Sequence, residues 1–263
     1  NIITSGNSIQ FGTESTLDVI TWNIENFPKQ NGSTVDYLAE LIPLLDIDIL
    51  ALQEIGDDDY FNQLVDQLNG WSGFRTGGSW GLAYIYKSEV VINRIEEIQS
   101  LDNYNLTRTP LLMELEWGSE NVYIINNHYK CCGNGTIEIE YDDEEYRRLQ
   151  SCILTKTYIE SNLDGKNVIL VGDLNDELSD PESTNVFINF INDTENYLFV
   201  DKNIAVGSST NWSYPGWPSH LDHILITNEL FDEFANTESS VETIRVEEYF
   251  DNGWTDYEKY ISD

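Results

Sequence analysis

Residues 167–177 read NVILVGDLNDE, an apolar run that ends in acids and an amide. Four consecutive apolar residues, 168–171, stand between polar ones, a pattern typical of a short β-strand. The segment that follows, Gly172-Asp173-Leu174-Asn175, places a carboxylate and an amide on the same side of an extended chain. A carboxylate there can orient or deprotonate a water molecule, and the amide can donate a hydrogen bond to a phosphate oxygen.

Elsewhere in the chain, short apolar runs alternate with longer stretches of helical spacing. Further strands are expected at residues 17–24, 48–55, 81–87, 121–129 and 219–227, and helices at 33–45, 59–69 and 142–163. This alternation predicts an α/β fold in which helices cover β-sheets. Because the chain shows no internal repeat and no linker, residues 17–263 are expected to form a single domain after an N-terminal extension at residues 1–16.

Polar side chains end five of these strands. The pairs are Asn23 and Glu25, Gln53 and Glu54, Asn127 and His128, Asp173 and Asn175, and Asp222 and His223. A single Asp or Asn after a strand is usually a turn residue or a helix cap. Five such strand ends instead indicate a functional site built at one edge of the sheets.

A metal site is predicted at the second of these strand ends. Glu54 follows an apolar strand, where a buried carboxylate costs several kcal/mol unless it is paired or bound to a cation. Mg²⁺ takes carboxylate and amide oxygens and fills its remaining positions with water. Glu54 and Asn23 suit it. Asp222 also requires a partner, and the imidazoles available are His128, His220 and His223, of which the last two are expected to be structural or substrate-side groups.

The composition is strongly acidic, with 47 Asp and Glu against 13 Lys and Arg and a formal net charge of −34. A uniformly basic groove for nucleic acid is therefore excluded, and binding a polyanion requires metal ions or screening salt. Either the acids form a solvated surface, as in secreted or salt-tolerant proteins, or some of them bind divalent cations. No apolar run reaches the roughly 20 residues of a membrane span.

The three cysteines bear on the compartment. Because sequence neighbours rarely pair with each other, a bridge from Cys131 or Cys132 to Cys152 is expected, with free thiols in a cytosolic enzyme as the alternative. The bridge and the Lys-poor, aromatic-rich composition favour a secreted or periplasmic protein. We expect it to be a monomer.

Five motifs together resemble a known family. TWNIENF, LALQEIG, NNHYK, VGDLND and SHLDHIL are similar, in this order, to the signatures of the endonuclease/exonuclease/phosphatase superfamily, which includes pancreatic-type deoxyribonucleases. The resemblance implies a four-layer α/β sandwich, with two mixed β-sheets packed face to face and helices outside. It also implies a divalent-metal-dependent phosphodiester hydrolase, most simply an endonuclease acting on DNA or RNA. A phosphatase, a lipid phosphodiesterase and a catalytically silent binding module are the alternatives.

The resemblance also implies residue roles. Glu54 matches the principal ligand of Mg²⁺, or of Mn²⁺ or Ca²⁺. Asn23 matches its companion at the metal and also a catalytic group that binds the charge developing on the phosphate. Asp173 matches the residue that activates the attacking water, Asn175 the phosphate-holding amide, and His128 a group beside the scissile phosphate.

Other positions are implied at the margin of the site. Asp222 matches a site-edge carboxylate and Arg108 a phosphate contact, while Trp212 and Trp217 lie in an aromatic loop that would contact the substrate. The terminal Ser262-Asp263 matches the start of a Ser-Asp-His motif. Asp263 is therefore expected to act in catalysis and at the metal, with a histidine expected next in the natural chain.

Overall fold

A computed structural model describes residues 15–214 and 218–261. The strands are β1 (Val19–Phe27), β2 (Ile49–Ile55), β3 (Trp71–Arg75), β4 (Gly81–Lys87), β5 (Val91–Glu97), β6 (Leu111–Trp117), β7 (Glu120–His128), β8 (Asn167–Asp173), β9 (Tyr197–Phe199) and β10 (Asp222–Thr227). The α-helices are α1 (Gly32–Leu41), α2 (Asp58–Gln67), α3 (Glu144–Asn162), α4 (Ile188–Ile191), α5 (Lys202–Ala205), α6 (Phe231–Phe234) and α7 (Trp254–Tyr260).

The chain divides into two compact units. The first contains the segment that ends at Val91, together with Glu238–Ser240 and the segment that begins at Ile244. Its four-stranded sheet has the order β1-β2-β4-β3, with β1 and β2 parallel and the other pairs antiparallel. All seven residues of β2 are buried. Apolar side chains of α1 and α2, among them Leu38 and Leu64, form one core with this sheet.

The second unit contains Ile92–Thr237 and Val241–Thr243. Its six-stranded sheet has the order β5-β6-β7-β8-β10-β9. β7 and β8 are parallel, whereas β10 is antiparallel to both of its neighbours. One face of this sheet packs on α3, which contributes Cys152 and Ile159 to a second core. The expected α/β architecture, with two mixed sheets and helices around them, is confirmed.

Most expected elements lie within a few residues of their observed bounds. β1 continues to Phe27 and β10 begins only at Asp222. The expected elements do not include β3, β5, β6 and β9. β9 has three residues, and β3 and β5 are largely half-buried or exposed strands without a long apolar run. β6 is largely buried and begins with three apolar residues, so this reason does not apply to it. The expectation of a single domain at 17–263 stays a prediction, and most of the proposed extension at 1–16 lies outside the described residues. Among the helices of the described chain, none is long and apolar enough to span a membrane.

Gly172 permits the close pairing of β7 and β8. It stands opposite Asn127 in the parallel register and has a φ of 146°, which side chains rarely adopt. A Cβ atom at this position would overlap the backbone carbonyl of Asn127. The absence of a side chain therefore brings the ends of β7 and β8, with His128 and Asp173, into register.

We expect Gly172→Ala to lower the free energy of unfolding by about 3 kcal/mol or more, because it adds a backbone overlap to an unfavourable φ. Gly165→Ala is the matched control, since Gly165 also has a positive φ of 66° but nothing within 4 Å of its added Cβ. It should cost only about 1–2 kcal/mol. Urea unfolding of both variants measures the difference, and equal losses would contradict this account of the β7–β8 pairing.

Candidate functional site

In the first unit, a break in strand pairing sets the position of Glu54. Asn23 pairs with Gln53 and Phe27 pairs with Ile55, so three residues of β1 stand opposite Glu54 alone. The pairing of β2 with β4 is irregular at the same point. Such bulges redirect a side chain that regular pleating would point elsewhere.

The Glu54 carboxylate is buried and held on both oxygens. Asn23 Nδ2 donates to Oε1 at 3.3 Å, and the backbone N–H of Asn26 donates to Oε2 at 3.0 Å. Glu54 has a φ of 62°, a costly conformation for a residue with a side chain and one that concentrates at functional sites. A carboxylate beside an amide is the oxygen donor set that Mg²⁺ prefers, so these two residues fit a divalent cation.

In the second unit, three strands place polar side chains in one row. His128 on β7 pairs with Asp173 on β8, and Asp222 on β10 pairs with Asp173 from the other side. Residues directly opposite each other across neighbouring strands point to the same face of a sheet. The sheet therefore brings together three of the side chains that the sequence analysis singled out.

His128 is a neutral imidazole in this row. Its Nε2 lies 3.6 Å from Asp173 Oδ2, beyond a hydrogen bond. Burial, with a contribution from the nearby Arg108 guanidinium, lowers the pKa of His128 to about 3. At neutral pH it can therefore supply a hydrogen-bond donor or acceptor, but not a positive charge.

Asn175 is fixed beside the row by its own loop. Its backbone N–H donates to Asp173 Oδ1 at 3.0 Å, and its side-chain Nδ2 donates to the carbonyl of Tyr129 at 3.3 Å. Its φ of 55° lies in the left-handed region, which asparagine tolerates better than most residues. The amide and the Asp173 carboxylate are thus held in one arrangement.

Asp222 ends the row with an available oxygen. Its backbone N–H donates to Ser213 Oγ at 3.1 Å, while its Oδ1 is buried and has no hydrogen-bond partner among residues 15–214 and 218–261. Burial raises the pKa of this carboxyl group. A buried acceptor of this kind suits a proton or a ligand.

Asp176 anchors the loop that carries Asp173 and Asn175. Arg148 Nε donates to Asp176 Oδ2 at 2.7 Å, and His223 Nε2 donates to the Asp176 carbonyl at 2.9 Å. Arg148 Nη1 also donates to the carbonyls of Lys130 and Cys132, at 2.7 and 2.8 Å, in the segment after His128. One buried guanidinium therefore joins the two segments that follow β7 and β8.

Asp201, His220 and His223 form a buried group of three potential metal ligands. Asp201 Oδ2 lies 3.0 Å from His220 Nε2 and 2.6 Å from His223 Nδ1. His220 Nδ1 accepts from the Ser213 N–H, so the proton of His220 belongs on Nε2 and blocks a metal there. His223 Nε2 already donates to Asp176, so a proton on its Nδ1 makes it an imidazolium facing Asp201.

Electrostatics agree with an ion pair in this group. Burial alone would raise the pKa of Asp201, but the two imidazoles outweigh it and hold that pKa well below its usual range. Burial alone would lower the pKa of His223, and the Asp201 carboxylate outweighs it and raises that pKa. The group is thus a satisfied hydrogen-bonded network on the side of β10 that packs against Phe187.

Of the remaining expected residues, the structure describes Arg108 and Trp212. Arg108 is half-buried near His128, whereas Trp212 is half-buried with its Nε1 donating to the Ile204 carbonyl. Trp217 and Asp263 lie outside the described residues. Sequence reasoning missed Arg148, Asp176 and Asp201 as positioning groups, since nothing in the pattern distinguishes a buried charge from a solvated one.

The structure contradicts the expected disulfide between Cys152 and Cys131 or Cys132. Cys131 and Cys132 are exposed, whereas Cys152 is fully buried in the core beneath α3, and all three thiols are free. Neither exposed cysteine is therefore bonded to Cys152. The helical spacing of α3 directs Cys152 inward, which the sequence analysis did not weigh.

Comparisons with known proteins agree with this architecture. The model of the Endonuclease/Exonuclease/phosphatase family matches residues 20–259. The structure of D. rerio TDP2 complexed with single strand DNA product is similar, with a TM-score of 0.63, 15% identity, and coverage of 80% of this chain and 83% of that one. The human Nocturnin catalytic domain with bound sulfate anion gives 0.61 at 18% identity, covering 83% and 85%.

A bacterial structure extends the comparison. The endonuclease/exonuclease/phosphatase from Bacteroides vulgatus has a TM-score of 0.61 at 13% identity, covering 81% of this chain and 87% of that one. At such identities the structural neighbours establish the fold alone. Comparison with curated protein sequences gives no match.

His128 should remain neutral down to about pH 4, because its pKa is lowered to about 3. The unfolded imidazole titrates near pH 6.5, so the unfolded chain binds this proton more readily between these values. His128 should therefore reduce stability as the pH falls from 6.5 toward 3, by about 1.4 kcal/mol per unit. NMR titration of the imidazole tests this, and a midpoint near 6.5 would contradict it. In His128→Gln that contribution to the pH dependence should disappear.

Arg148→Met should speed hydrogen exchange at the backbone amides of Asn175 and Tyr129 by about tenfold or more, because it removes the charge-assisted bonds that join their loops. Arg147→Met is the matched control. Arg147 is also buried, but its guanidinium donates to the backbone carbonyl of Tyr104. Exchange measured by mass spectrometry distinguishes the two variants. An equal effect of both would contradict a specific role for Arg148.

Proposed function

The chain belongs to the Endonuclease/Exonuclease/phosphatase family, and from that premise we propose that it is a divalent-metal-dependent phosphodiesterase acting on nucleic acid. Proteins of this family are in general metal-dependent phosphoesterases or nucleases. The observation that carries the proposal is the row of His128, Asp173 and Asp222 across three neighbouring strands, with Asn175 held beside it. A polar row of this kind provides a proton acceptor and hydrogen-bond donors for one phosphate.

Glu54 and Asn23 are the residues that would hold the metal, Mg²⁺ or alternatively Mn²⁺ or Ca²⁺. Asp263 is proposed as a further ligand. When bound, such an ion polarises a phosphoryl oxygen and stabilises the leaving oxygen. The contribution of the chain is to hold the Glu54 carboxylate in place through Asn23 and the Asn26 N–H. Substitution of Glu54 should therefore weaken metal binding as well as activity.

Within the second unit, Asp173 accepts the proton of the attacking water. The Asn175 N–H donates to Oδ1 of this carboxylate, and the other oxygen, Oδ2, faces His128. Asn175 Nδ2 carries a second hydrogen besides the one donated to Tyr129, and this hydrogen can bind a phosphate oxygen. Neutral His128 donates an N–H to the developing negative charge, and Asp222 lies at the edge of the row.

Nucleic acid is the proposed substrate. The D. rerio TDP2 structure in complex with single strand DNA product supports it, since that protein shares the fold. Arg108, Trp212 and Trp217 are proposed to contact the substrate. The net charge of −34 opposes binding of a polyanion, so salt should assist rather than weaken binding until the repulsion is screened. The acidic composition also supports a secreted or periplasmic location.

The full-length protein should hydrolyse bis-p-nitrophenyl phosphate and plasmid DNA with Mg²⁺ or Mn²⁺ and lose both activities in EDTA. Glu54→Gln and Asp173→Asn should each lower kcat/KM by about 10²-fold or more, because each removes a group that acts on the reacting phosphate or its metal. Glu89→Gln and Asp164→Asn, at exposed acids, are the matched controls and should retain wild-type rates.

Two further substrates separate the alternatives. Liposomes containing phosphoinositide or sphingomyelin test a lipid phosphodiesterase, and p-nitrophenyl phosphate tests a monoester phosphatase. Hydrolysis of either without DNA cleavage would overturn the nucleic-acid proposal while retaining the chemistry. Metal-independent DNA binding with no turnover of any substrate would overturn the proposal that the protein is an enzyme.

A further inference from the structure

Two neighbouring thiols lie in the loop between β7 and α3, three residues after His128. Cys131 and Cys132 are both exposed. The Cys132 thiol donates to Cys131 Sγ at an S···S distance of 2.7 Å, closer than two sulfur atoms in simple contact. Lys130 Nζ lies 3.9 Å from Cys131 Sγ and donates to the Cys131 carbonyl at 3.1 Å. The pair is therefore accessible to solvent and adjacent to a cation.

The third thiol does not compete for either of them. Cys152 is fully buried in the core of the second unit, where its neighbours include Tyr129. Burial raises the pKa of Cys152 far above that of an ordinary thiol, so it remains protonated and unreactive. Any disulfide formed within the described chain is therefore expected between Cys131 and Cys132.

The two exposed thiols differ in their surroundings. The hydrogen bond shared with Cys131 is the largest cause that raises the pKa of Cys132. The Lys130 ammonium lies beside the Cys131 sulfur. In this pair Cys132 donates the hydrogen bond and Cys131 accepts it, so we assign the Cys131 sulfur as the attacking atom.

We propose that Cys131 and Cys132 are a two-electron oxidation site that forms a vicinal disulfide with peroxides. The Cys131 thiolate attacks one oxygen of hydrogen peroxide, which forms an S–O bond, breaks the O–O bond and releases hydroxide. Cys132 then attacks the Cys131 sulfur, forming the S–S bond and expelling the second oxygen as hydroxide. With the protons of the two thiols, the peroxide is reduced to two waters.

The covalent geometry makes this bond reversible. Adjacent Cα atoms are about 3.8 Å apart across a trans peptide, less than the roughly 4.4–6.8 Å usual for a disulfide. The ring is therefore strained, and a strained, exposed disulfide is readily reduced by thiols. Cys132 already has a φ of 73°, so its backbone is not in the extended conformation that would separate the two sulfurs.

The loop is also joined to the site described above. Arg148 Nη1 donates to the Cys132 carbonyl at 2.8 Å, and the same guanidinium binds Asp176. Gly133, with a φ of 115°, leaves room for the Glu145 carboxylate where a side chain would overlap it. Oxidation therefore changes a loop whose backbone is bonded to the residue that positions Asn175.

Tryptic mapping tests the site, because cleavage separates the cysteines. Residues 131–147 form one peptide, with both neighbouring cysteines, and residues 149–156 form another, with Cys152. After the folded protein is treated with hydrogen peroxide and alkylated in denaturant, the 131–147 peptide should be lighter by two hydrogens and carry no alkyl group. The 149–156 peptide should carry one alkyl group. Reduction before alkylation should restore two alkyl groups to the first peptide.

Variants make the result specific. Cys152→Ser should leave the peroxide-dependent mass loss unchanged, whereas Cys131→Ser and Cys132→Ser should each abolish it. Full alkylation of both cysteines after peroxide, or a cross-link between the two peptides, would overturn the proposal. The readout is a mass and needs no activity, so its failure is distinguishable from failure of the proposed function.

Discussion

The arrangement of the second unit depends on one buried guanidinium. Arg148 is only 3% exposed, and it binds the Asp176 carboxylate and two backbone carbonyls beyond β7. An arginine in the interior is tolerated only when its charge is compensated and its donors are used, and removal of one partner costs about 3–5 kcal/mol. The polar network on the other side of Asp176, through His223 and Asp201, reinforces the same loop. The site is therefore built on polar contacts as much as on the apolar core.

In each unit the candidate residues depend on local departures from regular structure. Glu54 and Asn175 both have positive φ values, the first in a bulge of β2 and the second just after β8. Gly172 permits the close approach that aligns His128 with Asp173. These costs are offset by the surrounding hydrogen bonds, a common feature where side chains must be held for chemistry.

The sequence predicted the strands that carry the site because each has an apolar run that ends in polar residues, as in NVILVGDLN. It also predicted that His128, Asp173 and Asp222 serve one site, and the strand register brings them into one row. It could not predict the support for that row. Arg148 follows acids at the start of a helix and would suit an exposed face equally well, and only tertiary packing buries it. The expected disulfide to Cys152 was wrong for the same reason, because cysteine pairing rules do not consider which face of α3 packs against the core.

We propose that groups of this chain direct solvent water onto a phosphodiester. Hydrolysis of a phosphodiester in water enriched in heavy oxygen tests it most directly, with the phosphate product analysed by mass spectrometry. One heavy oxygen should appear in each released phosphate group, only with a divalent metal present, and the labelled product should form about 10²-fold more slowly or less when Asp173 is replaced by Asn. Turnover without solvent oxygen in the phosphate, or labelled product formed by Asp173→Asn at the wild-type rate, would contradict it.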